Sequence, residues 1–179
     1  GFEDLLLKVM LAPHGLTLKD VTMINVNFNL SPSIISGQVD AVIGAFRNFE
    51  LNQMDIVGHP GRAFFVEEEG VPTYDELILV THKDRVSDPR FRKLLDAMDR
   101  AVQYLVNHPN ESWKFFVKGR KELDDELNRR AWRDTLPRFA LRPAALDRAR
   151  YTKFAEFLAQ HGMIKEIGQV SDYAAELVQ

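Results

Sequence analysis

Between Gly44 and Glu50 the chain reads Gly-Ala-Phe-Arg-Asn-Phe-Glu. This one short segment holds two aromatic rings, a guanidinium, a carboxamide and a carboxylate. Phe46 offers a flat apolar surface, Arg47 a forked donor, Asn48 a donor and an acceptor, and Glu50 a pair of acceptors. A heteroaromatic ring with polar substituents needs such a set: an apolar wall and a few directed polar groups. An ordinary amphipathic turn fits the same spacing, with Phe46 and Phe49 inward and Arg47 paired to Glu50 outside. Spacing alone leaves both readings open. Asn25, Asn27 and Asn29 alternate with Val26 and Phe28. On a strand, alternation places the three amides on one side. They would donate into a cleft, which adds Asn29 to the candidate shell, or satisfy the strand end and cap the next helix. The second role is the simpler.

Catalytic constellations come up short elsewhere. His14, His59, His82, His108 and His161 include no pair spaced for a metal on one helix face. His14 and His161 each precede a glycine at a predicted helix end, where an imidazole bonds the last carbonyls. The sequence contains no G-x-S-x-G elbow, no Walker loop and no G-x-G-x-x-G. Glu67-Glu68-Glu69 would point alternately to opposite faces and reads as a solvated loop. Arg129, Arg130 and Arg133 flank Trp132, but Asp124, Asp125 and Glu126 offset them, so an ion-paired surface helix is the simpler account. The absence of cysteine removes thiolate chemistry and cysteine-rich zinc sites. No catalytic residue, metal or cofactor is therefore expected.

Bulk properties bound the remaining choices. The chain has 179 residues, 45% hydrophobic and 27% charged, with a net charge of −3. These are globular values, sufficient to bury a core in one domain of typical size or in one and a half small ones. Slight net acidity gives no global field for nucleic acid or an anionic membrane. No apolar run reaches the roughly 18 residues needed to span a bilayer. The opening residues lack the basic-then-apolar order of a signal peptide.

The elements that must position the segment follow from periodicity and punctuation. Phe2, Leu5, Leu6, Val9 and Met10 predict an opening helix that stops at His14-Gly15. Val21–Val26 reads as a buried strand, Ser31-Pro32-Ser33 as a capped helix start ending at Gly37, and Val39–Gly44 as a second strand. Together these predict a βαβ unit with a right-handed crossover. Phe46–Met54 is expected as a helical turn or short helix. Arg62–Val66 and Glu76–Thr81 read as strands. After Asp84 the pattern turns helical: Arg90–Val106, a break at His108-Pro109-Asn110, then Trp113–Val117, Leu123–Leu136, Ala144–His161 and Asp172–Val178. On this reading Glu50 leaves the carboxyl end of a strand, the edge where open α/β sheets bind ligands.

Several stretches together carry a resemblance. They are His14-Gly15-Leu16, Asp20-Val21, Ile34-Ile35-Ser36-Gly37-Gln38-Val39-Asp40-Ala41, Asn48-Phe49-Glu50 and Val71-Pro72-Thr73-Tyr74. The chain resembles the thiamine-pyrimidine-precursor branch of the periplasmic substrate-binding proteins of ABC transporters, whose superfamily also holds thiamine-pyrimidine synthases. The resemblance implies a partial α/β fold of the type II periplasmic-binding-protein kind. Residues 1–75 would form the second lobe without its first strand. Residues 76–179 would supply a return strand and C-terminal helices completing the first lobe, the rest of which is expected upstream of Gly1. It further implies an aminopyrimidine, of the hydroxymethylpyrimidine or formylaminopyrimidine type, bound in an inter-lobe cleft. Glu50 would hold the amine beside Asn48 and Arg47, Phe46 would form the wall, and Tyr74 would close over the ligand. The implied partner is an ABC permease, the only route to a membrane; the implied location is periplasmic. Apolar helix faces without a sheet would favour a homo-oligomer. The synthase reading is the runner-up; the histidine and lysine of its pyridoxal-phosphate-derived chemistry are expected upstream of this chain and map onto no residue here.

Overall fold

Capping residues and apolar periodicity account for the helices. The structure, a computed structural model, describes residues 1–177. Helix α1 (Phe2–Leu11) buries Leu5 and Leu6 and runs into a 3-10 turn over Ala12–His14. Gly15 then takes φ 71° and donates its N–H to Ala12 O at 3.1 Å. Glycine reaches this left-handed conformation without a Cβ clash, so the expected stop is met. Helix α2 (Leu30–Ile35) begins earlier than expected: Asn29, not Ser31, is its N-cap, and Ser31 and Ser33 are buried. Helix α3 (Glu50–Ile56) takes up the later part of the expected Phe46–Met54 segment.

Three aspartates start the longer helices. Asp88 accepts the Arg90 N–H at the head of α4 (Pro89–Asn107), where Pro89 sets the first φ. Bonds from the Arg90 guanidinium, then from its backbone N–H, hold the Asp88 carboxyl down at about 2, which keeps the cap charged. The break at His108 is followed directly by α5 (Pro109–Val117). Asp125 accepts the Asn128 N–H at 2.7 Å to start α6 (Glu126–Thr135). Asp147 accepts the Arg150 N–H at 3.0 Å to start α7 (Arg148–Gln160). The last expected helix, Asp172–Val178, is not formed as such. A 3-10 turn covers Val170–Asp172, irregular chain follows, and Val178 lies outside the described residues.

The expected α/β fold of the periplasmic-binding-protein kind is overturned, since no strand and no sheet occur among the described residues. Val21–Val26, Val39–Gly44, Arg62–Val66 and Glu76–Thr81 are irregular chain, so the βαβ unit is absent. A strand is defined by its ladder, and apolar patterning reports side-chain burial without supplying a partner backbone. Local turns take the ends of these segments. Val26 O accepts from Asn29 N, Val39 N donates to Ser33 O, and Val66 O accepts from Glu69 N and Val71 N. Glu76–Thr81, the clearest strand in the sequence, leaves Leu77 88% and Val80 82% exposed. The asparagine run likewise has no strand geometry. Asn27 sits at φ 53° and donates its N–H to Asn25 Oδ1 at 2.9 Å, a local turn that asparagine tolerates well.

The chain divides into two compact units. The first comprises Gly1–Val71 and Trp113–Arg138; the second comprises Pro72–Ser112 and the chain from Phe139 onward. In the first, α2 packs on α3, α3 packs on α6, and Leu5, Leu6, Met54, Val71 and Trp113 are buried. In the second, Val102, Ala155 and Phe157 are buried. There Tyr74 stacks on Phe154 at 4.6 Å, and Asp75 pairs with Arg150.

Candidate functional site

The segment singled out at Gly44–Glu50 forms the loop entering α3. Backbone bonds from Phe49 N and Glu50 N to Phe46 O, at 3.0 and 3.1 Å, wind it into a turn. Glu50, in the first turn of α3, folds its carboxylate back so that Oε2 accepts the Phe46 N–H at 2.7 Å. No donor among the described residues reaches Oε1. Phe46 is 47% exposed. The ring and the carboxylate are therefore presented from one turn, with the acid steadied by backbone.

Arg47 points elsewhere. Its Nη2 donates to Glu67 Oε2 at 2.9 Å while Nη1 lies 2.8 Å from Oε1, and its guanidinium sits 3.8 Å over the Phe65 ring. The Arg47–Glu50 pair suggested by spacing is thus replaced by a two-point pair with a residue twenty positions on. The same acidic run holds His14, whose Nε2 lies 3.3 Å from Glu69 Oε2 instead of on helix-end carbonyls. Among the described residues no group of three metal-ligating side chains converges, so the run Glu67–Glu69 is organised by this chain's own basic groups.

The hydrogen bond from Arg47 holds the Glu67 carboxyl below the usual carboxylate range, against a smaller opposing effect of burial. A carboxylate lowered in the folded state contributes stability that is fully present above its unfolded value and is lost as pH falls through the lowered one. The thermal midpoint should therefore drop across acid pH, from about 5 downward, and Glu67→Gln should flatten part of that slope. Scanning calorimetry at stepped pH checks this; an unchanged slope in the variant would separate Glu67 from acid stability.

Asn48 is held from two sides. Its Nδ2 donates to Thr135 Oγ1 at 2.6 Å, and its backbone carbonyl accepts from Asn52 Nδ2 at 3.0 Å. Asn52, 9% exposed, also donates to Asp134 Oδ2 at 2.8 Å. Bonds from Arg133 first, and then from Asn52, hold the Asp134 carboxyl below its ordinary value. One turn away, Arg130 bridges Asp55 of α3 and Glu126 of its own helix. The end of α6 and the face of α3 thereby clamp the loop. Asn52, Asp134 and Thr135 were missed by sequence reasoning; Asn52 has polar neighbours at Asn48 and Asp55 on its own face, and its partner Asp134 lies 82 positions away, so nothing local marked it.

The other candidates fall apart from this group. Asn29 is exposed at the start of α2, without a side-chain cap bond. Tyr74 belongs to the second unit, where it stacks on Phe154. Loop residues Phe46, Arg47, Asn48 and Glu50 are contiguous, but only Asn48 and Glu50 combine a held end with an unoccupied acceptor among the described residues. A cavity of about 560 Å³ in the second unit is lined by residues 86–89, Arg92 and residues 175–177, and by none of the six candidates. The basic residues of α6 are ion-paired as expected, Arg129 to Asp124 and Arg133 to Asp134, while Trp132 packs against Trp113 and Phe116.

Comparison with known proteins adds three findings. A profile described as NMT1/THI5 like matches residues 1–112. A Haemophilus influenzae protein named "Putative thiamine biosynthesis protein" is 52% identical over 178 residues, covering 99% of this chain and 57% of the relative. The "Formylaminopyrimidine-binding protein" of Halalkalibacterium halodurans is 31% identical over 126 residues, covering 68% of this chain and 38% of the relative. The chain thus spans little more than half the length of the first relative and less of the second.

Proposed function

The chain belongs to the NMT1/THI5-like family, and on that premise we propose that it serves to bind a thiamine-precursor aminopyrimidine. The ligand is of the hydroxymethylpyrimidine or formylaminopyrimidine type. The protein then hands this ligand to an ABC permease from the periplasmic side. The observation that carries the reading is the loop before α3. Glu50 offers a carboxylate oxygen with no partner among the described residues, and Phe46 offers an exposed ring beside it. An exocyclic amine is a donor that a carboxylate meets well, and a pyrimidine face stacks on phenylalanine. The relative that carries a pyrimidine-binding name supports the same ligand class.

Isothermal calorimetry tests the proposal directly. Titrating hydroxymethylpyrimidine and formylaminopyrimidine into the chain should give saturable binding of at least one, with benzyl alcohol, which lacks the ring nitrogens and the amine, silent. Absence of heat and of thermal stabilisation with both pyrimidines removes the reading.

A second reading is favoured by the name of the 52%-identical relative, which refers to biosynthesis. Under it the protein forms the pyrimidine instead of capturing it. Time-dependent appearance of a pyrimidine in the presence of pyridoxal phosphate, with no added pyrimidine, would support this alternative.

A further inference from the structure

We infer that Thr135 is a positioning residue that fixes the Asn48 amide with its oxygen free, making the loop selective for an amino-bearing ring over its oxo counterpart. The inference rests on the aminopyrimidine reading and adds a specificity determinant to it. Thr135 Oγ1 lies 2.6 Å from Ala131 O and 2.6 Å from the Asn48 amide. A hydroxyl has one hydrogen, and a carbonyl oxygen can only accept, so that hydrogen is committed to Ala131 O. Towards Asn48 the hydroxyl can therefore only accept. An amide turned the other way would place two oxygens 2.6 Å apart with no proton between them. Asn48 must present Nδ2 to Thr135, and Oδ1 is left pointing away from it as an acceptor.

The backbone beneath is fixed as well. Asn52 uses its Nδ2 on Asn48 O and on Asp134 Oδ2, so the carbonyl of the same residue is tied to α3 and α6. No donor among the described residues reaches Asn48 Oδ1. With Glu50 Oε1 in the same state, the loop offers two acceptors, and one of the two Asn48 Nδ2 hydrogens is already spent on Thr135. A ligand amine satisfies an acceptor; a ring carbonyl in its place opposes one. Sites that use directed hydrogen bonds reject analogues that cannot make them far better than apolar pockets do.

The test compares the intact chain with Thr135→Val and Thr135→Ser. Calorimetry is run with 4-amino-5-hydroxymethyl-2-methylpyrimidine and with its 4-oxo counterpart. Wild type should favour the amine by roughly tenfold or more. Thr135→Val frees the amide to turn, so the preference should fall severalfold, to the part that Glu50 alone maintains, and Thr135→Ser should restore it. Side-chain amide NMR reads the orientation without ligand. One Asn48 Nδ2 proton should exchange slowly in wild type and in Thr135→Ser, and rapidly in Thr135→Val. An unchanged affinity ratio in Thr135→Val overturns the inference, as does failure of Thr135→Ser to rescue. If wild type binds neither pyrimidine, the ligand reading falls and takes the selectivity with it, while the NMR arm still decides whether Thr135 holds the amide.

Discussion

On the proposed function, Glu50→Ala should lower the affinity for an aminopyrimidine by roughly ten- to a hundredfold, the loss expected when a hydrogen bond to a charged group is removed. The carboxylate has two oxygens with different employment. Oε2 takes the Phe46 N–H at 2.7 Å and so shapes the turn; Oε1 has no partner among the described residues. Truncation to alanine removes both, so a weakened turn and a lost ligand contact arrive together. Glu50→Gln separates them. Its amide oxygen still accepts from Phe46, but its other end becomes an –NH₂ that faces a ligand amine donor to donor. The glutamine variant should therefore keep its thermal midpoint and lose nearly as much affinity as alanine. Full affinity in Glu50→Gln, measured by the same calorimetry, would falsify the assignment of Glu50 to the ligand.

What could be read from the sequence divides along a physical line. Helices were legible because their signals are local. Apolar residues recur at the helical period, although the starts were misplaced: Asp125 and Asp147, inside the expected helices, are the caps at which α6 and α7 begin. Strands were expected where none forms, because a strand's defining bonds are made to a second segment that periodicity does not name. Glu76–Thr81 has the composition of a strand and no ladder. The site shows the same division. Phe46, Arg47, Asn48 and Glu50 fall within one turn and were found together. Their partners were not: Thr135 stands 87 positions from Asn48, and Asp134 stands 82 from Asn52. Arg47 shows the cost of local reasoning most directly, since the nearest opposite charge in sequence, Glu50, is not the one it pairs with.

Trp113→Ala destabilises the first unit by about 3–5 kcal/mol, the range for removing a buried large aromatic from a core. At this chain length that corresponds to a thermal midpoint lower by about 6–20 °C. Trp113 is 9% exposed and stands in a three-ring cluster, 5.9 Å from Phe116 and 5.7 Å from Trp132 in an edge-on arrangement. The Arg129 guanidinium lies 5.0 Å over its ring. Two of these neighbours, Trp132 and Arg129, belong to α6, the helix whose end supplies Thr135 to Asn48 and Asp134 to Asn52. Loss of the ring leaves a cavity under α6, so on the proposed function the same variant should weaken pyrimidine binding although Trp113 makes none of the loop's hydrogen bonds. Phe115→Ala is the control. It removes an aromatic ring from the same helix, α5, but Phe115 is 78% exposed and its loss should move the midpoint little. Equal midpoints for the two variants would show that α6 is not seated on this cluster, and the clamp on Asn48 would then need another origin.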